Sequence, residues 1–411
     1  VIYKERDLRA MGKGWRVGVV FGIPLFVDPS WFFVLILVTV SYSYTWQNQG
    51  WGGLEWVAGF VMALLLFSSV LLHELGHSLV ARSQGISVNS ITLFLFGGVA
   101  SIAEESKTPG QAFQVAIAGP SVSLVLFIIL LLLSQVIPVP VAQVITERLA
   151  WVNLVLALFN LIPGLPLDGG QVLKAAVWKF TGSRIRGVRW AARSGFLLGG
   201  LAIAFGVMLY LNQSSFAFLW IALLGWFGVR SSRTYSQVAD LQEKLMQLVA
   251  ADAMTRDYRV ADARDSLRQF ADQYVLADNQ PTAYFAASDG RYRGLVTIEE
   301  LRQRERSQWE VLTLADIARP LEEIGAVQEQ TPLSEVILTL ESSDNAYITV
   351  LSPAGSVAGV IDRGDIVRTV AKQMKLPVPE ASIQQIKDDQ AYPPGLQLVT
   401  IAQGLTKDTV R

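Results

Sequence analysis

Apolar positions fall into long blocks before about residue 230 and into short periodic pieces after it. Six blocks are long enough to cross a bilayer as helices, near 30–46, 56–82, 110–135, 143–163, 191–211 and 215–231. Between them, Val17–Val27 is short and apolar with Gly22 and Pro24, and predicts a strand or re-entrant piece at the membrane surface. Residues 86–102 are β-branched and aromatic around Gly97-Gly98 and predict a strand or hairpin on the cytoplasmic face. A polar helical linker, Ser231–Leu248, leads into a repeat. Asp252-Ala253-Met254 returns as Asp316-Ile317-Ala318, and Gly294-Leu295-Val296-Thr297 returns as Gly359-Val360-Ile361-Asp362. Each copy predicts a short helix, a strand pair around a turn and a closing helix, so the two form a pseudo-symmetric α/β module. Residues 376–411 show little periodicity and predict an extended tail, with a docked strand at Leu396–Ile401.

Composition agrees with this division. The hydrophobic share is 51%, only 17% of residues are charged, and mean hydropathy is +0.37. That is too apolar for a soluble chain of this length. A net charge of −1 gives no electrostatic case for nucleic acid. With no cysteine, thiolate zinc sites and disulfides are excluded. Lys and Arg are absent from Ser43–Glu55 and Leu211–Ser215, and concentrated in 1–16, 174–193 and 230–233. By the positive-inside rule both termini, and with them the soluble half, are expected on the cytoplasmic side of a multi-pass membrane protein.

The chemistry sits in the second block. His73-Glu74-Leu75-Gly76-His77 is an H-E-x-x-H pattern, and its histidines are the only two in the chain. On a helix, positions i and i+4 share one face, so two imidazoles can ligate one zinc ion while Glu74 reaches the attacking water. Ionisable groups inside an apolar span are costly and functional by default. A third ligand must be a carboxylate. Between Glu105 and Asp240 the acids are Glu147, at an outer rim, and Asp168. Asp168 arrives on an inward-running span at a depth similar to His73, after a stretch broken by Pro163, Gly164 and Pro166 and followed by Gly169-Gly170. Asp168 is the natural third ligand, with Glu104 or Glu105 as alternatives. Broken backbone at membrane depth is tolerated beside protein or a watery cavity. The edge of a strand near the metal would let an extended substrate pair with it.

Taken together, His73-Glu74-Leu75-Gly76-His77, Gly97-Gly98, Ala118-Gly119-Pro120 and Asn160-x-x-Pro163-x-x-Pro166-x-Asp168-Gly169 resemble the site-2 protease family of intramembrane zinc metalloproteases. The resemblance covers most of residues 15–230 and implies one zinc ion per chain. It implies that His73, His77 and Asp168 bind zinc, that Glu74 activates the water, and that Asn160 and Pro166 lie against the substrate backbone. The sheet that carries Gly97 and Gly98 would hold an unwound substrate strand. The soluble half resembles a tandem pair of cystathionine-β-synthase-type (CBS) domains. In that family a Gly-apolar-apolar-Thr/Ser-x-x-Asp pattern holds adenine nucleotide. This implies a nucleotide site at Thr297 and Glu300 in the first copy. In the second, Asp365 keeps the acid, but Asp362 stands where a hydroxyl is expected and would repel phosphate.

The expected architecture is therefore a polytopic α-helical membrane domain of six spans with a small cytoplasmic-side β-sheet, plus an α/β tandem CBS module. Its parts are 1–29, an N-terminal cytoplasmic or interfacial segment; 30–231, the metalloprotease domain; 232–249, the linker; 250–308 and 309–375, the two CBS domains; and 376–411, the tail. The expected function is zinc-dependent endoproteolysis of membrane-anchored proteins near the cytoplasmic side, with adenine nucleotide as a candidate regulator. The expected partners are a membrane-protein substrate, the lipid bilayer and a second copy in a homodimer, with no nucleic acid. A membrane transporter or channel with CBS regulatory domains is the alternative.

Overall fold

The computed structural model describes residues 14–95, 97–102, 105–275, 283–320, 323–343, 345–393, 396 and 398–409. The chain divides into two compact units, Val1–Ala239 and Asp240–Arg411.

The first unit opens with β1 (Trp15–Val20) and β2 (Ile23–Val27), an antiparallel hairpin. Phe21 and Gly22 form its turn with φ of 49° and 79°, the paired left-handed geometry that favours tight hairpins. The helix α1 (Ser30–Thr45) follows, then α2 (Leu54–Ser83), which carries the histidine motif. A second hairpin, β3 (Val88–Phe94) and β4 (Gly97–Ile102), completes a four-stranded sheet of order β1-β2-β3-β4. The surface piece at residues 17–27 is thus strand, and β2 joins β3 in parallel. β4 is an edge of the sheet.

The remaining helices of this unit are α3 (Pro109–Ser134), α4 (Pro140–Asn160), α5 (Asp168–Thr181), α6 (Arg184–Gln213) and α7 (Leu219–Leu245). Among the described residues, four helices are long and apolar enough to cross a membrane: α2, α3, α4 and α6. The other two expected spans differ in kind. α1 has 16 residues, fewer than the roughly 20 a straight span needs. α7 joins the apolar block from 219 to the polar linker as one unbroken helix, so no break falls at 231. Val57, Leu132, Val155 and Leu197, one on each of the four long helices, are each more than half exposed. Outward apolar faces of that kind suit lipid as solvent. Inside, glycines let helices meet backbone to backbone: a Cβ on Gly199 would lie 2.7 Å from the Gly225 carbonyl oxygen, and one on Gly206 would lie 2.7 Å from the Ala222 nitrogen.

In the second unit the repeat is visible as two three-stranded sheets. One is built from β5 (Tyr258–Asp262), β6 (Ala283–Ser288) and β7 (Arg291–Val296), and the other from β8 (Ala326–Gln328), β9 (Tyr347–Leu351) and β10 (Val357–Asp362). Each copy starts with a strand parallel to its second strand, an element the periodicity did not separate from the lead-in. The helices α8 (Leu267–Phe270) and α9 (Ile298–Arg302) belong to the first copy, and α10 (Leu333–Ser342) and α11 (Arg363–Gln373) to the second. The lead-ins cross over. Thr255 pairs with Val360 of β10, and Arg319, which precedes the second copy, pairs with Leu295 of β7. The two copies therefore interlock through these lead-ins.

The tail differs from expectation. It forms two helices, α12 (Glu380–Asp389) and α13 (Leu398–Thr409), and no strand is found at Leu396–Ile401 among the described residues. The reason is spacing. Leu398, Ala402 and Leu405 fall at i, i+4 and i+7, and with Ile383 and Ile386 they enter the same core as Leu333, Ile337 and Ile366. Burial of one helical stripe outweighs the low periodicity of the segment as a whole.

Candidate active site

His73 and His77 lie one turn apart on α2, both buried, and Asp168 opens α5. Their donor atoms converge. His73 Nε2 is 3.0 Å and His77 Nε2 3.3 Å from Asp168 Oδ2, and the two Nε2 atoms are 3.3 Å apart. A tetrahedral zinc site with ligands at about 2.0–2.1 Å has donor-to-donor edges of roughly 3.3–3.4 Å. The donor set is two imidazoles and one carboxylate, which leaves a fourth position for water or substrate. The residues fit zinc in chemistry and in spacing, and they are the grouping of potential metal ligands found among the described residues.

The third helix supplies what turns the rings inward. His77 Nδ1 lies 2.7 Å from the Val115 carbonyl oxygen, to which an N–H there donates. His73 Nδ1 lies 2.9 Å from Ser123 Oγ. Such outer partners fix ring orientation and tautomer, leaving Nε2 free for metal. Gly119 falls midway between Val115 and Ser123, on the same stripe of α3. A Cβ there would lie 2.7 Å from His73 Nε2 and closer still to His77 Nε2. The small run Ala118-Gly119-Pro120, expected to allow helix packing, makes room for the two imidazoles. Ser123 and Val115 were not singled out by sequence. Their signal is the four-residue step on either side of Gly119, which matches the step between the histidines.

Asp168 is positioned by a loop, 161–167, whose polar backbone is satisfied by protein. Leu165 donates its N–H to the Ala191 carbonyl, Ser232 Oγ donates to the Leu165 carbonyl at 2.8 Å, and Ser194 Oγ donates to the Pro163 carbonyl. Leu165–Pro166 is a cis peptide. Gly169 and Gly170 allow the start of α5 to press against the loop: a Cβ on Gly170 would lie 2.4 Å from the Gly164 carbonyl carbon and from the Leu165 nitrogen, and one on Gly169 would strike the Leu161 and Ile162 carbonyls. These close approaches explain why glycines follow Asp168.

Glu74, half-buried, faces the sheet. Its carboxylate accepts a hydrogen bond from the Ala100 N–H of β4. Its Cγ would lie 2.5 Å from a Cβ on Gly98. The edge strand, the glutamate and the donor triangle thus adjoin. Gly97, with φ of 131°, starts β4 opposite Phe94. Asn160 is the last residue of α4 and Pro166 lies in the loop before Asp168, both half-buried. One turn before His73, Ser69 accepts a 3.0 Å hydrogen bond from the fully buried Asn153, a polar tie between α2 and α4 that the sequence reading passed over. Of the alternative ligands, Glu105 forms an ion pair with Arg184 at 2.7 Å, and Glu104 lies outside the described residues.

In the second unit, Thr297 and Glu300 cap α9 reciprocally, the Thr297 N–H donating to Glu300 at 3.0 Å and the Glu300 N–H to Thr297 Oγ1 at 3.2 Å. Glu300 also pairs with Arg319 at 2.6 Å. Asp362 and Asp365 cap α11 in the same way, but both are buried and both are held by Lys387 of α12, at 2.8 and 3.0 Å.

A buried His₂-carboxylate triangle with an adjoining glutamate, set among apolar helices, defines a membrane metallopeptidase. The sequence profile of peptidase family M50 matches residues 61–147 and 141–207. A homologue in Synechocystis sp. named as a zinc metalloprotease is 42% identical over 362 residues, covering 87% of this chain and 96% of that protein. A zinc metalloprotease of Methanocaldococcus jannaschii is 28% identical over 363 residues, covering 88% of this chain and 97% of that one. Among solved structures, a site-2 protease from Methanocaldococcus jannaschii is 30% identical, with a TM-score of 0.41, covering 54% of this chain and 95% of that chain. The chain belongs to peptidase family M50 and is a zinc metalloendopeptidase. The transporter or channel reading is not favoured.

Proposed function

We propose that the chain cleaves membrane-anchored polypeptides within the bilayer, toward the cytoplasmic side, using zinc held by His73, His77 and Asp168. The observation that carries this reading is the convergence of three donors from the apolar helix α2 and the start of α5, beside a glutamate that touches a sheet edge. When bound there, zinc supplies Lewis acidity toward the scissile carbonyl and toward water. Glu74 takes a proton from the attacking water and passes it to the leaving amine. A helical substrate hides its carbonyls in hydrogen bonds, so it must unwind before cleavage. The free edge of β4, including Gly97 and Gly98, offers strand pairing to the unwound segment. Asn160 and Pro166 flank the path to Asp168 and contact the substrate backbone, Asn160 on the carbonyl side.

Six spans, with α1 and α7 completing the four long helices, would leave both termini cytoplasmic. The interlocked repeat acts as a CBS pair, and the chain works as a homodimer. Adenine nucleotide binds at Thr297 and Glu300 of the first copy. In the second, Asp365 is paired with Lys387, so a ligand would have to displace that lysine.

The deciding experiment is Glu74→Gln, assayed on a co-expressed membrane substrate with zinc content measured in parallel. Cleavage should fall by about 10²–10⁴ while zinc is retained. Undiminished cleavage would overturn the reading.

A further inference from the structure

A groove of about 580 Å³ runs between α6 and α7, away from the donor triangle. Its α7 wall is one helical stripe. Trp226, Val229, Arg230, Arg233, Thr234 and Gln237 follow one another at steps of three, one, three, one and three residues. From Trp226 to Gln237 that stripe covers about 16 Å along the helix axis. Its chemistry is graded. Trp226 and Val229, with Ile203 from α6, make an apolar end; two guanidiniums follow; then a hydroxyl and an amide.

The arginines are held without being neutralised. Arg230 lies over the Trp226 ring at 5.6 Å, and Arg233 lies over Phe196 of α6 at 5.4 Å. Neither has a carboxylate partner among the described residues. Aromatic faces orient a guanidinium and leave its N–H donors available. Arg184, Arg186, Arg189 and Arg193 fall at the same end of α6. Apolar wall, paired cations and polar rim, in that order, match the order of acyl chain, phosphate and headgroup in an anionic phospholipid.

We propose that this groove binds one anionic phospholipid, its phosphate between Arg230 and Arg233 and an acyl chain along Trp226, Val229 and Ile203. The assignment rests on the reading of α7 as the last span. The occupant is a lipid rather than a free phosphate because the apolar end has no counterpart in a soluble anion.

The test uses the full chain in nanodiscs containing equal fractions of phosphatidylglycerol and phosphatidylcholine, with either lipid brominated on its acyl chains. The Trp226 signal is the difference between the native chain and Trp226→Phe. Brominated phosphatidylglycerol should be enriched at Trp226 on the order of tenfold over brominated phosphatidylcholine. Arg230→Gln with Arg233→Gln should bring the two lipids level, and the corresponding lysine pair should keep part of the preference. Equal quenching in the native chain would overturn the site alone. No quenching by either lipid would overturn the site together with the membrane placement of α7. Loss of the preference on adding millimolar inorganic phosphate would mean a phosphate-only site and overturn the lipid assignment.

Discussion

Gly119 of α3 stands against His73 of α2 with no room for a side chain: a Cβ would lie 2.7 Å from Nε2 and closer still to that of His77. The ring atoms it would strike are the ones that face Asp168. Gly119→Ala should therefore displace the imidazoles rather than merely loosen helix packing. Zinc affinity should drop by about 10–100-fold, as for loss of an orienting partner, and peptidase activity should fall with it. Competition with a chelator of known affinity measures the first, and substrate cleavage the second. Native zinc affinity in the alanine variant would count against the site.

Ser123→Ala acts on one ring only. It removes the oxygen beside His73 Nδ1 and leaves Val115 and His77 untouched. Zinc affinity is expected to weaken by about 10-fold or more, and Ser123→Thr should restore most of it because the hydroxyl returns. Metal titration of the three proteins separates orientation from packing, since packing alone would not be rescued by the larger side chain.

How much of this was legible in sequence depends on the range of the cause. His73, Glu74 and His77 fall within five consecutive residues of one helix, so helical periodicity alone places both rings on a face. Asp168 could be reached by counting acids and depth. Ser123, Val115, Ser194 and Ser232 could not, because each acts through a backbone carbonyl or ring nitrogen that only tertiary packing brings near. In the second unit the glycines of each copy revealed the repeat, but the crossing of Thr255 onto β10 and of Arg319 onto β7 is a long-range pairing with no local signature. The tail was missed for another reason. Its apolar residues are sparse, and the stripe of Leu398, Ala402 and Leu405 becomes decisive only once a core exists to receive it.

Lys387 pairs with the buried Asp362 and Asp365, the latter also met by Arg368 at 3.0 Å, and loss of the lysine, which leaves Asp362 without its cation, should be felt in the second unit alone. A charge pair left without its partner in a buried place costs roughly 3–5 kcal/mol, and Lys387→Met should lower the thermal transition of that unit accordingly. The pH dependence has a definite sign. Burial, with the neighbouring Asp362 charge, raises the Asp365 pKa above its ordinary 3.8, against the opposing pull of Lys387. A carboxyl with a raised folded-state pKa stabilises the fold below the unfolded value and loses that contribution as pH rises through the folded value. Lys387→Met removes the opposing pull. The variant should therefore lose stability more steeply than the native chain as pH rises from about 4 toward neutrality. Asp365→Asn in the same background should flatten the slope. Calorimetry across that range reads both.

Gly98 offers a separation between metal binding and catalysis. A Cβ there would lie 2.5 Å from Glu74 Cγ, yet Gly98 belongs to β4 and reaches neither histidine in the way Gly119 does. Gly98→Ala should push the glutamate off the edge strand while the donor triangle stays intact. Zinc affinity should then remain near native, while kcat falls by about 10²-fold, the low end for a displaced general base. KM should change less, because a substrate strand paired on β4 as proposed would use backbone groups that a methyl does not remove. Gly119→Ala, by contrast, should lose zinc and activity together. If Gly98→Ala lost zinc as readily as Gly119→Ala, Glu74 and the strand edge would have to be counted as part of the metal scaffold, and the division of labour between the hairpin glycine Gly98 and the helix glycine Gly119 would be wrong.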